Sequence, residues 1–226
     1  MKSRILPNLE YQLDQKILSF KDSKGQPVTL AIETLRNIDE TIESLASALA
    51  KGSTELHLAS HLRTVETEFS LEALAPYFGV LWPAAVALAD FLAAKTIATN
   101  AKVLEMGAGL GLPSLVLAKT NQTRDERHPI LVTDLHPDVE NFLQMNARNN
   151  QVESQIRFLS WDWRNAPQST DWQNTFDVII ASDVIYEFAL ITPLLKAIQH
   201  CLKPDGLAWI ADPGRMLQAC ILLLGR

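Results

Sequence analysis

Three glycines at alternate positions, Gly107, Gly109 and Gly111, follow the acid Glu105 and precede Pro113 and an apolar run. A turn of this kind brings backbone close to a ligand, because glycine has no Cβ and tolerates positive φ. The helix expected beyond it offers unpaired N–H groups to negative ligand atoms. Asp134 ends the run Ile130-Leu131-Val132-Thr133, 23 residues past Gly111, where a second parallel strand would present a carboxylate to ribose hydroxyls. The dinucleotide fingerprint needs its third glycine at residue 112, which is Leu. The plainer reading of the loop is a glycine turn that only lets a helix pack tightly on its strand.

Two further stretches carry reactive types. Ser182-Asp183-Val-Ile-Tyr186 follows the apolar run that begins at Phe176 and sets a carboxylate near a phenol. An Asp at a strand end also serves as a helix cap, and Tyr186 could be ordinary core. Ser160-Trp161-Asp162-Trp163 pairs an acid with two indoles, either of which can flank a flat ring or fill a core.

The elements that must position these groups alternate from Leu81 onward. Pro83 suits the first turn of a helix with Val86, Leu88, Ala89 and Leu92 on its apolar face. Strands are expected at 102–106, 129–133, 155–160, 176–182 and 206–211, with helices between them, notably 138–149 and 191–202. Strands alternating with helices make a mostly parallel sheet covered on both faces, with ligands beyond the carboxyl ends of the strands. Residues 1–75 form a separate N-terminal extension. Tyr11 to Phe20 and Pro27 to Leu30 suggest a hairpin, and Leu30 to Leu49 shows helical spacing (Ile32, Leu35, Ile38, Ile42, Leu45). This extension serves either as a cap over a substrate cleft or as packing.

The motifs together resemble the seven-β-strand protein lysine methyltransferase family, of the family 16 type. They are Tyr77-Phe-Gly-Val-Leu-Trp82-Pro83, the Glu105–Gly111 loop, Asp134, Asn146 with Asn150, Asp162-Trp163 and the D-x-x-Y element Asp183 to Tyr186. They occur in family order over roughly residues 76–215, and D-x-x-Y is the most specific. Asp212-Pro-Gly-Arg215 is similar to the branch that modifies the electron-transfer flavoprotein.

The resemblance implies a Rossmann-like α/β domain over 76–226 that binds S-adenosylmethionine (AdoMet) and methylates a lysine side chain of a protein. It implies that Trp82 lines the cofactor pocket and that Gly107, Ala108 and Gly109, with Glu105 and Gly111 in the same loop, cradle the methionine portion. Asp134 would hold the ribose, Asp162 and Trp163 would bound the adenine, and Ser182 would lie beneath the cofactor. Trp163, following the acid, is preferred to Trp161. Asp183 and Tyr186 would face the incoming amine as the catalytic pair. The family's closing antiparallel strand pair is not matched, since only Met216 to Arg226 follow the D-P-G-R stretch. The apolar tail Ile221 to Leu224 would then want cover, which a homodimer supplies. The alternatives are methylation of a small-molecule amine or of a histidine or arginine side chain, and an AdoMet-binding protein without catalysis.

Composition narrows the field. Hydrophobic residues are 47% and charged residues 20% of the chain, as in a globular protein with a real core. The net charge of −6 disfavours phosphate-driven nucleic-acid binding, and no Asn/Asp-Pro-Pro-aromatic motif occurs. Val80 to Ala94 is the longest apolar stretch, and Pro83 and Asp90 interrupt it, so no membrane span is expected. Cys201 and Cys220 have no metal-ligand spacing, and His57, His61, His128 and His200 form no ligand cluster. His136 is expected at a surface helix start. A cytoplasmic protein with no metal is the resulting expectation.

Overall fold

The computed structural model describes residues 1–4, 9–50, 74–121, 128–164 and 172–214. The Ile221–Leu224 tail, His57, His61, Arg215 and Cys220 lie outside the described residues. Five strands form one sheet: β3 (Val103–Met106), β4 (Ile130–Asp134), β5 (Ile156–Ser160), β6 (Phe176–Ser182) and β7 (Leu202–Ala211). They lie in the order β5-β4-β3-β6-β7, and every neighbouring pair is parallel. All five expected strands are present. The last begins earlier than expected, because Leu202 already pairs with Phe176 before an irregularity in the register.

Successive side chains of a strand face opposite sides, and the core divides accordingly. Val103, Ile130, Val132, Val178 and Ile180 belong to one buried cluster. That cluster includes residues of α2 (Pro83–Ala93), α3 (Leu112–Thr120) and α4 (Val139–Asn149). Leu104, Met106, Ile179 and Ala181 belong to the other, with Ile191, Leu194 and Ile198 of α5 (Phe188–Cys201). The sheet is thus a Rossmann-like α/β fold with helices on both faces. Chain order reverses between β3 and β6, so the crevice beyond their carboxyl ends is where a ligand enters such a sheet. Among the described residues no helix is long and apolar enough to cross a membrane.

The N-terminal region departs from its expected form. Residues 30–35 are strand, not helix. β1 (Leu13–Lys21) and β2 (Pro27–Leu35) make a nine-pair antiparallel hairpin, and α1 (Ile38–Ala50) starts only after it. The apolar positions at 30, 32 and 35 fit both periods. The cross-strand ladder and the alternate burial of Leu30 and Ile32 decide for the strand. The carboxamide oxygen of Asn37 then accepts from the N–H groups of Asp39 and Glu40 and fixes the helix start.

The hairpin packs on α2, α3 and α4, and its buried residues are continuous with that side of the core. β2 is fastened by Asn146 of α4 and by Asn150, the residue that follows that helix. Asn146 Oδ1 accepts from the Glu33 N–H (2.7 Å) and its Nδ2 donates to the Glu33 carbonyl (3.3 Å). Asn150 treats Ala31 alike, at 2.9 and 2.8 Å. Asn146→Leu removes both partners of Glu33 and should cost about 1–3 kcal/mol in denaturant unfolding, while Gln144→Ala on the exposed face of α4 should stay within about 0.5 kcal/mol.

Candidate functional site

The chain leaves β3 at Met106 and must re-enter a helix at Leu112. It does so with Gly107, Gly109 and Gly111 at φ of +64°, +53° and +71°. Space is as restrictive as conformation. A Cβ on Gly107 would lie 2.6 Å from Val184 Cγ1 and 3.1 Å from the Trp163 ring, and one on Gly109 would lie 3.0 Å from the Phe78 carbonyl. At Gly111 a Cβ would meet Leu143 of α4 at 2.4 Å, so the left-handed φ and the seat of Leu143 both favour this third glycine. The turn is pinned to β4 by Ala108 N–H to the Thr133 carbonyl (3.1 Å) and by Gly109 N–H to Asp134 Oδ2 (2.9 Å). The other carboxylate oxygen of Asp134 accepts from the His136 N–H (2.9 Å).

Glu105 is wholly buried one residue before the end of β3. Its Oε2 accepts from the Ser114 N–H at 3.2 Å. Gly111, the residue before α3, has no side chain to cap the helix, so Glu105 does this from the neighbouring strand. Burial pushes its carboxyl up to about 8, against the Ser114 hydrogen bond and with a smaller push from Asp134. Its Oε1 and the buried Nε1 of Trp163 have no hydrogen-bond partner among the described residues.

The two indoles part company. Trp163 lies against Gly107, whereas Trp161 meets Trp172 edge-on at 5.0 Å, and Trp172 meets Phe176 in turn. Asp162 accepts from the Arg164 guanidinium through both oxygens (2.8 Å each) and from the Arg164 N–H (3.0 Å). Arg164 was not singled out in the sequence, although an acid followed two residues later by arginine is a local signal for this pair. Trp82 stands immediately before α2 and donates from Nε1 to the Tyr77 carbonyl (3.0 Å).

Across the crevice, Ser182 is buried at the end of β6 and Asp183 follows at φ +57°, a left-handed conformation that Asp tolerates better than most residues. Its N–H donates to the Ala211 carbonyl (2.9 Å), tying the turn to β7. Val184 then reaches the glycine turn. Tyr186 is 54% exposed and Phe188 is 72% exposed. The Tyr186 hydroxyl is held above its ordinary value by partial desolvation, then by the Glu187 and Asp134 carboxylates, with Arg164 opposing.

The surface helix start expected at His136 is corrected. His136 and Asp138 are both buried, because N-terminal residues cover them: Ser3 and Tyr11 each donate a hydroxyl to Asp138 Oδ2 at 2.7 Å. No local signal could reveal a contact between residues 11 and 138.

The glycine turn, the half-buried Asp134 carboxylate and the Trp163 ring fit a ligand that combines ribose and an aromatic base. The raised Glu105 carboxyl carries a consequence for stability. A carboxyl higher in the folded state than in the unfolded chain stabilises the fold below about pH 4.5, and that stability is lost as pH rises through about 8. Thermal unfolding of the ligand-free protein should therefore fall between pH 5 and pH 8.5, and E105Q should fall by clearly less; equal slopes would remove the assignment.

A family model described as lysine methyltransferase matches residues 69–215. The chain is 33% identical to the protein-lysine methyltransferase METTL21E of Mus musculus over 138 residues, 56% of this chain and 52% of that one. It is 29% identical to the protein N-lysine methyltransferase METTL21A of Danio rerio, over 74% of this chain and 73% of that protein. With the calmodulin-lysine N-methyltransferase of Arabidopsis thaliana it shares 29% identity over 54% of this chain and 40% of that protein. The chain spans about half the length of several curated relatives it matches. Among solved structures, the ribosomal protein L11 methylase of Lactobacillus delbrueckii subsp. bulgaricus superposes with a TM-score of 0.50 at 18% identity, over 64% of this chain and 68% of that one, a likeness of fold alone. With the family model covering more than half of its residues, including the glycine turn and the D-x-x-Y element, the chain belongs to the lysine methyltransferase family.

Proposed function

We propose that the protein is an AdoMet-dependent N-methyltransferase acting on a lysine side chain of a protein. The observation that carries this reading is the pairing, across one strand-order crevice, of a glycine turn bonded to Asp134 with the left-handed Asp183 turn. When bound, AdoMet supplies a methyl group already activated on a sulfonium sulfur.

The chain's own residues have three tasks. Gly107, Ala108 and Gly109 hold the methionine portion, Asp134 the ribose, and Trp163 and Asp162 the adenine, with Trp82 lining the pocket and Ser182 beneath. Aligning the amine with the methyl group is a proximity effect. The amine must also be neutral, and a lysine with a pKa of about 10.4 is only about 0.1% neutral near pH 7.4. A partly closed apolar pocket lowers that value by desolvation. Asp183 opposes deprotonation, so its role is to orient the amine and balance the sulfonium charge, with Tyr186 beside it. The exposed Tyr186 and Phe188 favour a protein over a small amine, because they offer apolar area to a partner surface.

A cytoplasmic setting accords with a cysteine content, Cys201 and Cys220, that implies no disulfide framework. A homodimer through Ile221 to Leu224 belongs to the same reading; light scattering should report twice the monomer mass, and a monomer would remove this part.

The purified chain, labelled AdoMet and cell proteins test the activity. D183N preserves a residue type that accepts positive φ, so it separates charge from backbone geometry. D183A and D183N should both lower methyl transfer by about 100-fold or more while calorimetric AdoMet affinity stays within about threefold. An undiminished rate in D183N would show that the carboxylate is not needed.

A further inference from the structure

Asp134 is held from two directions. Its Oδ2 is fixed by the glycine turn, and its Oδ1 accepts the N–H of His136, two residues on. What fixes His136 is therefore part of what aims the carboxylate. The Asp138 N–H donates to His136 Nδ1 (3.2 Å), so the ring proton sits on Nε2, from which it donates to the Leu74 carbonyl (3.3 Å). Burial lowers the His136 pKa, in keeping with this neutral form, although Asp138 and Asp134 pull the other way. The ring also lies 4.3 Å from Phe78, whose carbonyl faces Gly109.

Asp138 is in turn saturated from the N-terminal segment. It has no exposed surface, and it accepts the hydroxyls of Ser3 and Tyr11 at 2.7 Å together with the Arg4 N–H. Arg4 also pairs with Glu140 at the start of α4. Between the two acids stands Pro137, whose ring fixes φ and leaves the five-residue turn little freedom to absorb a displacement at one end. A buried carboxylate that loses a donor must find another or admit water, and here either response moves the turn that carries the His136 N–H.

We infer that His136 and Asp138 are positioning residues for Asp134, and that Ser3, Arg4 and Tyr11 are by this route part of the cofactor site, although 123 to 131 residues separate them from Asp134 in sequence. The inference rests on the reading of Asp134 as the ribose-binding carboxylate. It gives the segment that leads into the N-terminal hairpin a task beyond packing: it sets the affinity for the cofactor without touching it.

Calorimetric titration of the full chain with S-adenosylhomocysteine, beside thermal unfolding, tests this. Y11F removes one donor to Asp138 and leaves the ring to pack on Phe78 and Phe142. It should raise Kd about three- to fivefold, and H136L about tenfold, the size of one or two hydrogen bonds. H136N, which restores an acceptor for the Asp138 N–H, should return Kd to within about threefold of the native value. In a D134N background Y11F should add less than about twofold, because the route through Asp134 is already broken. If H136L does not fold, Y11F with and without D134N carries the test. Variants that unfold at lower temperature but bind as the native chain does overturn the inference, and so does a Y11F penalty that persists in full in D134N. A native chain that does not bind overturns the cofactor reading itself, and this inference with it.

Discussion

The hydrogen bond from the Gly109 N–H to the Asp134 carboxylate joins the ends of two adjacent strands, and the rest of the site is arranged around it. The bond is reinforced next door by the Ala108 N–H, which donates to the Thr133 carbonyl. Once the turn is held there, Phe78 closes on it at Gly109, and Val184 and Trp163 close on it at Gly107. The three glycines are the condition for this closeness. Two keep the turn within reach of the residues that face it, and the third lets Leu143 seat α4 against the start of α3.

The sheet was legible because its strands are short apolar runs ending in acids, serines and glycines, and these mark both a strand end and a ligand rim. The strands expected at 102–106, 129–133, 155–160 and 176–182 lie within a residue of those found. The N-terminal half was less legible. Leu30, Ile32 and Leu35 satisfy two periods at once, and only pairing with residues 13–18 decides between them. The chemistry of Asp183 could be suspected from its place after β6, but its left-handed backbone could not. Nothing near Asp138 in sequence announces Ser3 or Tyr11, so an acid that looks like a surface helix start is in fact buried. Glu105 was read as a cofactor acid; its service to Ser114 depends on how α3 folds back over β3.

The two sides of the crevice meet their demands differently. On the glycine side three residues without side chains take positive φ, and close neighbours leave no room for a Cβ. On the Asp183 side a residue that carries a charged side chain takes the left-handed conformation, held by a bond to Ala211 on the neighbouring strand. The second arrangement restricts replacement more severely. Beyond glycine, the residues that accept this conformation most readily are asparagine and aspartate, and of these only aspartate brings a charge.

The fastening of β2 to α4 has a geometric basis. Residues four apart on a helix rise about 6 Å, and residues two apart on a strand rise about 6.6 Å. A carboxamide on each turn of a helix can therefore imitate the alternating donors and acceptors of a neighbouring strand. Asn146 and Asn150 do this for Glu33 and Ala31, so this stretch of the β2 edge is occupied and is not open to pairing with another chain. The arrangement also sets register. A slip of β2 by one residue would leave both asparagines facing the wrong side of the strand. Two amides on a helix thereby do for a lone hairpin what a third strand does elsewhere.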